Sequence, residues 1–228
     1  MVPRWIKSTY YAALSPLMRL NSARHRALPM LKKNAKNLVH LGPGQEKYLQ
    51  GWINVDANLI SSKPDVWADL RFKLPFPEDS VDAIYSHHVI EHLPNLDFHF
   101  QEMYRCLTPG GLIRVGGPHG DNAIKAFSDG NISYFGVFPT ERRSIGGRFE
   151  NLIFCRGEHL TILTKSFLCE LAEDAGFQDI KVVNPRETNY PQNIGENVLA
   201  LEEEVTEKPV RTILIEATKP LYPSKIES

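Results

Sequence analysis

A Gly-Pro-Gly turn formed by Gly42, Pro43 and Gly44 follows the short apolar run 38–41. Glycines directly after a strand let the backbone come close to a ligand. Alone, such a turn is common; the carboxylates spaced after it give it meaning. Asp56 ends a second apolar run, where a carboxylate can accept hydrogen bonds from both hydroxyls of a ribose. Asp69, followed by Leu70, ends the next segment and could accept from the exocyclic amine of an adenine. Together these residues describe an adenosine site at the carboxyl ends of parallel strands. Ser86, His87 and His88 follow a further apolar run. His88 and His92 are candidates for removing a proton, because imidazole titrates near neutrality.

These positions need a scaffold of alternating strands and helices. The runs 38–41, 52–55, 66–69, 81–85, 112–115, 180–183 and 212–217 read as strands. Leu96, Phe100, Met103, Tyr104 and Leu107 recur at helical spacing and predict a helix over 95–107, stopped by Pro109-Gly110-Gly111. Thr164 predicts an N-cap for a helix presenting Phe167, Leu168, Leu171, Ala172 and Ala175. The pattern is that of a Rossmann-like α/β domain over 37–220, preceded by an arm over 1–36 and followed by a tail over 221–228. Asp56 lies 14 positions after Gly42, against the ~20 usual in a dinucleotide fold, so the first helix is truncated. That argues against a nicotinamide-dinucleotide enzyme, which places a pyrophosphate at a full helix N-terminus.

The order and spacing of LVHLGPG (38–44), GWINVD (51–56), ADL (68–70), LPFPEDSVDAIYSHHVIEHL (74–93), RCLTPGGLIRV (105–115) and LTKSFLCELAEDAGFQDIKVV (163–183) resemble the class I S-adenosylmethionine-dependent methyltransferases, in the broad group called methyltransferase type 11. The resemblance implies a three-layer sandwich around a mostly parallel seven-stranded sheet whose last strand is antiparallel. It implies S-adenosyl-L-methionine as cofactor, held by His40, Gly42, Pro43, Gly44, Asp56, Ala57, Asp69, Leu70, Ser86 and His87. His40 stands where the family commonly has Asp or Glu. The implied activity is O- or N-methylation of a small molecule, such as a saccharide, a lipid-linked intermediate or a secondary metabolite. A non-catalytic cofactor-binding or partner protein on the same fold is the alternative. The segment 116–158 shows no clear pattern and lies where the family places its acceptor; His119, Tyr134, Arg142 and Arg143 are the substrate-binding candidates there.

His88-Val89-Ile90-Glu91-His92 also reads as H-x-x-E-H, the pattern of inverted zinc peptidases. It follows a strand in an α/β pattern instead of lying within a long helix, so no metal is expected from it. The three cysteines have neither zinc spacing nor the density of a disulfide framework, and point to a reducing cytoplasm.

The formal net charge of −1 averages two unlike parts. Residues 1–37 carry eight Lys and Arg and no acid; the other 191 residues carry 18 basic and 27 acidic side chains, a balance of −9. Such a body repels nucleic acid, and the Asn-Pro-Pro-Tyr phrase of many base-amine methyltransferases is missing after the fourth strand. The arm is expected to be helical, extra to the fold and outside the cofactor site. Its charge suits an anionic membrane surface, a protein partner or a second subunit. Cluster 202–204 with Glu207 is expected to be solvated.

Overall fold

The computed structural model describes residues 4–32, 35–45, 47–59, 62–203 and 209–221. Seven strands form one sheet: β1 (Leu38–Leu41), β2 (Ile53–Asp56), β3 (Val66–Trp67), β4 (Val81–His87), β5 (Leu107–Pro118), β6 (Gln178–Val183) and β7 (Thr212–Thr218). Their order is β3-β2-β1-β4-β5-β7-β6. The pairings from β3 to β5 are parallel, and β7 runs antiparallel between β5 and β6. The sheet is the expected one.

Alternation along the strands divides the core. Val39, Leu41, Ile84 and Ile113 face α2 (Leu96–Cys106) and α5 (Lys165–Asp174), which contribute Phe100, Met103, Leu168 and Leu171. Ala83, Tyr85 and Leu112 face the opposite layer, built from Ile194 and the short helix Glu196–Leu199. Helices α2 and α5 both start at a side-chain cap, that of α5 being the predicted Thr164. Asn95 accepts from the Phe98 amide at 3.0 Å, and Thr164 from the Phe167 amide at 3.4 Å. The connection from β1 to β2 forms no helix among its described residues.

Three expectations need correction. First, 116–158 is not a patternless loop. It carries α3 (Gly120–Ser128) and α4 (Ile145–Phe154), capped by His119 and Ser144. The two helices enclose a small core of Ala123, Ala126, Tyr134 and Phe135, with Phe149 and Leu152 against it. Alanines form much of the apolar face of α3, and Gly146-Gly147 opens α4, so the usual large-residue periodicity is missing.

Second, the arm is not extra to the fold. Its helix α1 (Arg4–Ala27) lies on the β3 edge with Met18 fully buried. Asn21 Nδ2 donates to Trp67 O at 2.8 Å, and Arg26 Nη1 to Leu74 O at 3.2 Å. Third, Glu202 is buried in an ion pair with Arg114; Glu204 and Glu207 of the supposed solvated cluster lie outside the described residues, as does the tail beyond Leu221. Residues 90–92 make only a single 3-10 turn and His88 has φ +57°, so His88 and His92 do not share one helix face as a zinc-peptidase motif requires.

Among the described residues no helix is long and apolar enough to cross a membrane. Cys106, Cys155 and Cys169 are free thiols.

Candidate active site

The carboxyl ends of β1, β2 and β4 bring the predicted residues together. Gly42 and Gly44 adopt φ +70° and +61°, conformations natural only to glycine. A Cβ on Gly42 would also lie 2.4 Å from Val89 Cγ2. The turn is pinned to β2 by Gly42 N donating to Val55 O at 2.8 Å. At Gly44 nothing stands within 4 Å of where a Cβ would project, so the turn opens onto free space. Pro43 lies between these two glycines.

Asp56 is the hub of this end of the sheet. Its Oδ2 accepts from Gly44 N at 3.1 Å and its Oδ1 from Asn58 N at 2.8 Å. Each carboxylate oxygen therefore keeps one lone pair, which matches two vicinal hydroxyls. Ala57 follows, buried, with its carbonyl accepting from Tyr10 Oη at 2.5 Å and Trp67 Nε1 at 2.8 Å.

Asp69 does not fit the adenine role. Its Oδ1 accepts from Arg71 N and Nε at 3.1 and 2.9 Å, and its Oδ2 from Arg71 Nη2 at 2.6 Å and Ser15 Oγ at 2.7 Å. Those four donors fill its acceptor positions. Burial alone would raise its pKa, but the bonds from Arg71 and Ser15 outweigh it and hold the carboxyl below its ordinary value. Asp69 thus fastens α1 to the sheet, while Leu70 is part of the main core.

His40 is buried beside Asn54, with Nδ1 3.2 Å from Asn54 Oδ1, and its ring centroid is 5.1 Å from that of Tyr85. Desolvation drives its pKa down to about 4, so it is a neutral group. His87 is likewise neutral: burial, followed by the charges of His88 and Lys47, lowers it to about 2. Its Nδ1 lies 3.3 Å from Lys47 Nζ. His87 Nε2 and Ser86 Oγ are buried and have no protein partner. Unpaired buried polar atoms are costly, and these two sit beside the glycine turn at the end of β4, where a polar ligand would satisfy them.

His88 and His92 come together around Glu91 but do different things. His88 Nδ1 is 3.3 Å from Glu91 Oε1 and its Nε2 3.2 Å from Thr212 Oγ1. His92 turns away, its Nδ1 donating to Glu158 O at 2.8 Å.

The acceptor-side candidates are dispersed. His119 caps α3, accepting from Asn122 N at 3.4 Å. Tyr134 is part of the core under α3, only 3% exposed, with its hydroxyl donating to Val210 O at 3.2 Å. Arg142 and Arg143 are exposed. Nearby arginines tie this segment to itself: Arg148 Nε donates to Arg142 O at 3.0 Å, and Arg156 Nε to Thr140 Oγ1 at 2.8 Å.

Sequence reasoning missed the contribution of α1. Tyr10 and Ser15 hold Ala57 and Asp69, and Arg71 stacks 4.1 Å from the Tyr11 ring. Lys7 reaches Glu158 at 2.8 Å, so α1 spans from the β3 edge to the segment just after α4. The missed signal was composition: Tyr10, Tyr11 and Ser15 are few and distant from the glycine turn in sequence.

Residues 53–115 match the family model of a methyltransferase domain. A sterol 24-C-methyltransferase of Pneumocystis carinii is 50% identical over 62 residues, which are 25% of this chain and 16% of that protein. Among solved structures, a Thermotoga maritima S-adenosylmethionine-dependent methyltransferase, described as a possible histamine N-methyltransferase, superposes with TM-score 0.52 at 16% identity, covering 95% and 96% of the two chains. The phosphoethanolamine N-methyltransferase 2 of Haemonchus contortus, solved with S-adenosyl-L-methionine, gives TM-score 0.52 at 17% identity, covering 89% of this chain and 52% of that one. At such identities the superpositions speak for the fold. Residues 53–115 are thus similar to a methyltransferase domain, and the sheet as a whole has the fold of the S-adenosylmethionine-dependent methyltransferases on which it superposes.

Proposed function

We propose that the protein binds S-adenosylmethionine across Gly42, Gly44, Asp56, Ser86 and His87 and methylates a small-molecule acceptor at oxygen or nitrogen. The observation that carries this reading is the pairing of Asp56, with one free lone pair on each oxygen, and the unpartnered polar atoms of Ser86 and His87 across an open glycine turn. The residues fit the cofactor: a diol acceptor stands at one end and neutral polar groups at the other.

S-adenosylmethionine, when bound, supplies an electrophilic methyl carbon. The protein then has to hold it in line with the acceptor and exclude water, a contribution that can be large for a displacement reaction. Asp56 fixes the ribose, and α1 closes the β3 side. The helices α3 and α4 flank the acceptor side. His88, directly after the buried Ser86 and His87, takes the acceptor proton, with its Nδ1 oriented by Glu91. A saccharide, a lipid-linked intermediate or a secondary metabolite fits this reading. The outward residues Leu17, Leu20 and Arg24 of α1 are exposed, which supports contact with an anionic membrane surface.

The test is transfer of labelled methyl from S-adenosylmethionine to a panel of hydroxyl and amine acceptors. With an acceptor in hand, His88→Ala is expected to lower kcat by on the order of 100-fold or more and to leave cofactor affinity unchanged. A variant as fast as the wild type would remove His88 from the reaction.

A further inference from the structure

We propose that Glu91, His92 and His159 bind a divalent transition-metal ion, zinc foremost, beside the acceptor side of the cleft. One carboxylate oxygen and one ring nitrogen from each histidine lie within 4.8 Å of one another. A modest inward movement of the two rings would bring them to the ~2.0–2.2 Å ligand distances of zinc.

Hydrogen bonding fixes which nitrogens are available. His92 Nδ1 is 2.8 Å from Glu158 O, and His159 Nδ1 is 2.8 Å from Leu152 O. A carbonyl oxygen only accepts, so both Nδ1 atoms carry the proton and both Nε2 atoms carry a lone pair. A backbone carbonyl behind each ring is the usual arrangement around metal-bound histidine, where it sets tautomer and orientation. His92 Nε2 lies 3.8 Å from Glu91 Oε1, and the two histidine rings meet edge to face with centroids 4.9 Å apart.

The carboxylate supplies a second, independent observation. Glu91 is 1% exposed, and its Oε2 has no protein partner. A buried carboxylate with one oxygen unpaired is costly; its other oxygen, Oε1, is the one that faces His92, and a cation held there would offset the buried charge. Gly117 lets the carboxylate pack against the backbone of β5: a Cβ there would lie 2.8 Å from Oε2 and 2.9 Å from Leu163 Cδ1. The backbone holds the two halves in place: Leu160 N donates to Glu91 O at 2.7 Å, which keeps His159 opposite Glu91.

Two imidazoles and one carboxylate suit zinc, manganese, iron or cobalt better than magnesium, which favours an all-oxygen shell. Three protein ligands leave an open position for water or an acceptor oxygen. This set differs from the H-x-x-E-H reading of the sequence: the third ligand is His159, 67 positions after His92, and Glu91 is a ligand instead of a base.

The inference can be read without methyl donor or acceptor. Metal-stripped full-length protein is titrated with Zn2+ against a chromogenic chelator, and with Co2+ followed by its visible absorption. One equivalent of each is expected to bind. His92→Ala and His159→Ala, checked for folding by circular dichroism, should each raise the Kd by on the order of 10–100-fold or more; Glu91→Gln, similar in shape but uncharged, should do the same. Wild-type protein that binds less than one equivalent, or alanine variants that bind as tightly as wild type, would overturn the proposal whatever the outcome for S-adenosylmethionine.

Discussion

Asp56→Ala is expected to weaken S-adenosylmethionine binding by on the order of 100-fold or more. Two effects add. The free lone pairs of the carboxylate would each accept from a ribose hydroxyl, and hydrogen bonds to a charged group contribute about 1.5–3 kcal/mol each. Losing two corresponds to at least ~100-fold, since about 1.4 kcal/mol is tenfold. The same carboxylate also receives the amides of Gly44 and Asn58, so its removal frees the turn that the cofactor lies on. Asp56→Asn keeps one acceptor oxygen but must turn an amide N–H toward a backbone donor, and is expected to fall between wild type and alanine. Calorimetric titration of the three proteins checks the order. An alanine variant with wild-type affinity would refute the ribose assignment.

Arg114→Ala is expected to lower folding stability by about 3–5 kcal/mol, the usual loss when one partner of a buried ion pair is removed. Arg114, from the middle of β5, is fully buried. Its Nε and Nη2 each donate to a different oxygen of Glu202 at 2.7 Å, and its Nη1 donates to Glu216 Oε1 at 2.6 Å and Glu187 O at 2.9 Å. Glu216 also accepts from Thr188 Oγ1 at 2.6 Å and Asn189 N at 2.9 Å. One guanidinium therefore ties the segment around 187–202 to the back of the sheet, under Tyr85. Without it two carboxylates stay buried while the guanidinium that bridges them is gone. Urea unfolding of wild type and variant at neutral pH reads the loss. A loss below about 1 kcal/mol at neutral pH, the worth of a surface pair, would show that the triad does not hold this layer.

Much of the scaffold was legible because it rests on local signals. Short apolar runs marked the strands, and Thr164 marked the start of α5 at the right residue. Gly42, Gly44 and Asp56 were legible because a positive φ and a carboxylate at a strand end leave direct traces in residue type. Arg114, Glu202 and Glu216 were not, since three charged residues far apart in sequence look solvated until the fold brings them together. Asp69 shows the converse. Its position at a strand end invited a ligand role, but Arg71 and Ser15, the latter from a helix 54 positions earlier, occupy its oxygens. The basic arm misled for the same reason: its net charge was visible, while Met18, Ser15 and Tyr10, which dock it, are too few to change the composition. His159 escaped notice because only the fold places it beside Glu91.

The central claim is that the cleft between the glycine turn, Asp56 and the end of β4 holds S-adenosylmethionine. Isothermal titration of the folded full-length protein with S-adenosylmethionine tests it most directly. A single saturable site with one equivalent bound is predicted, and it should be lost or strongly weakened in Asp56→Ala. No saturable heat up to high micromolar cofactor, with the protein shown to be folded, would contradict the account.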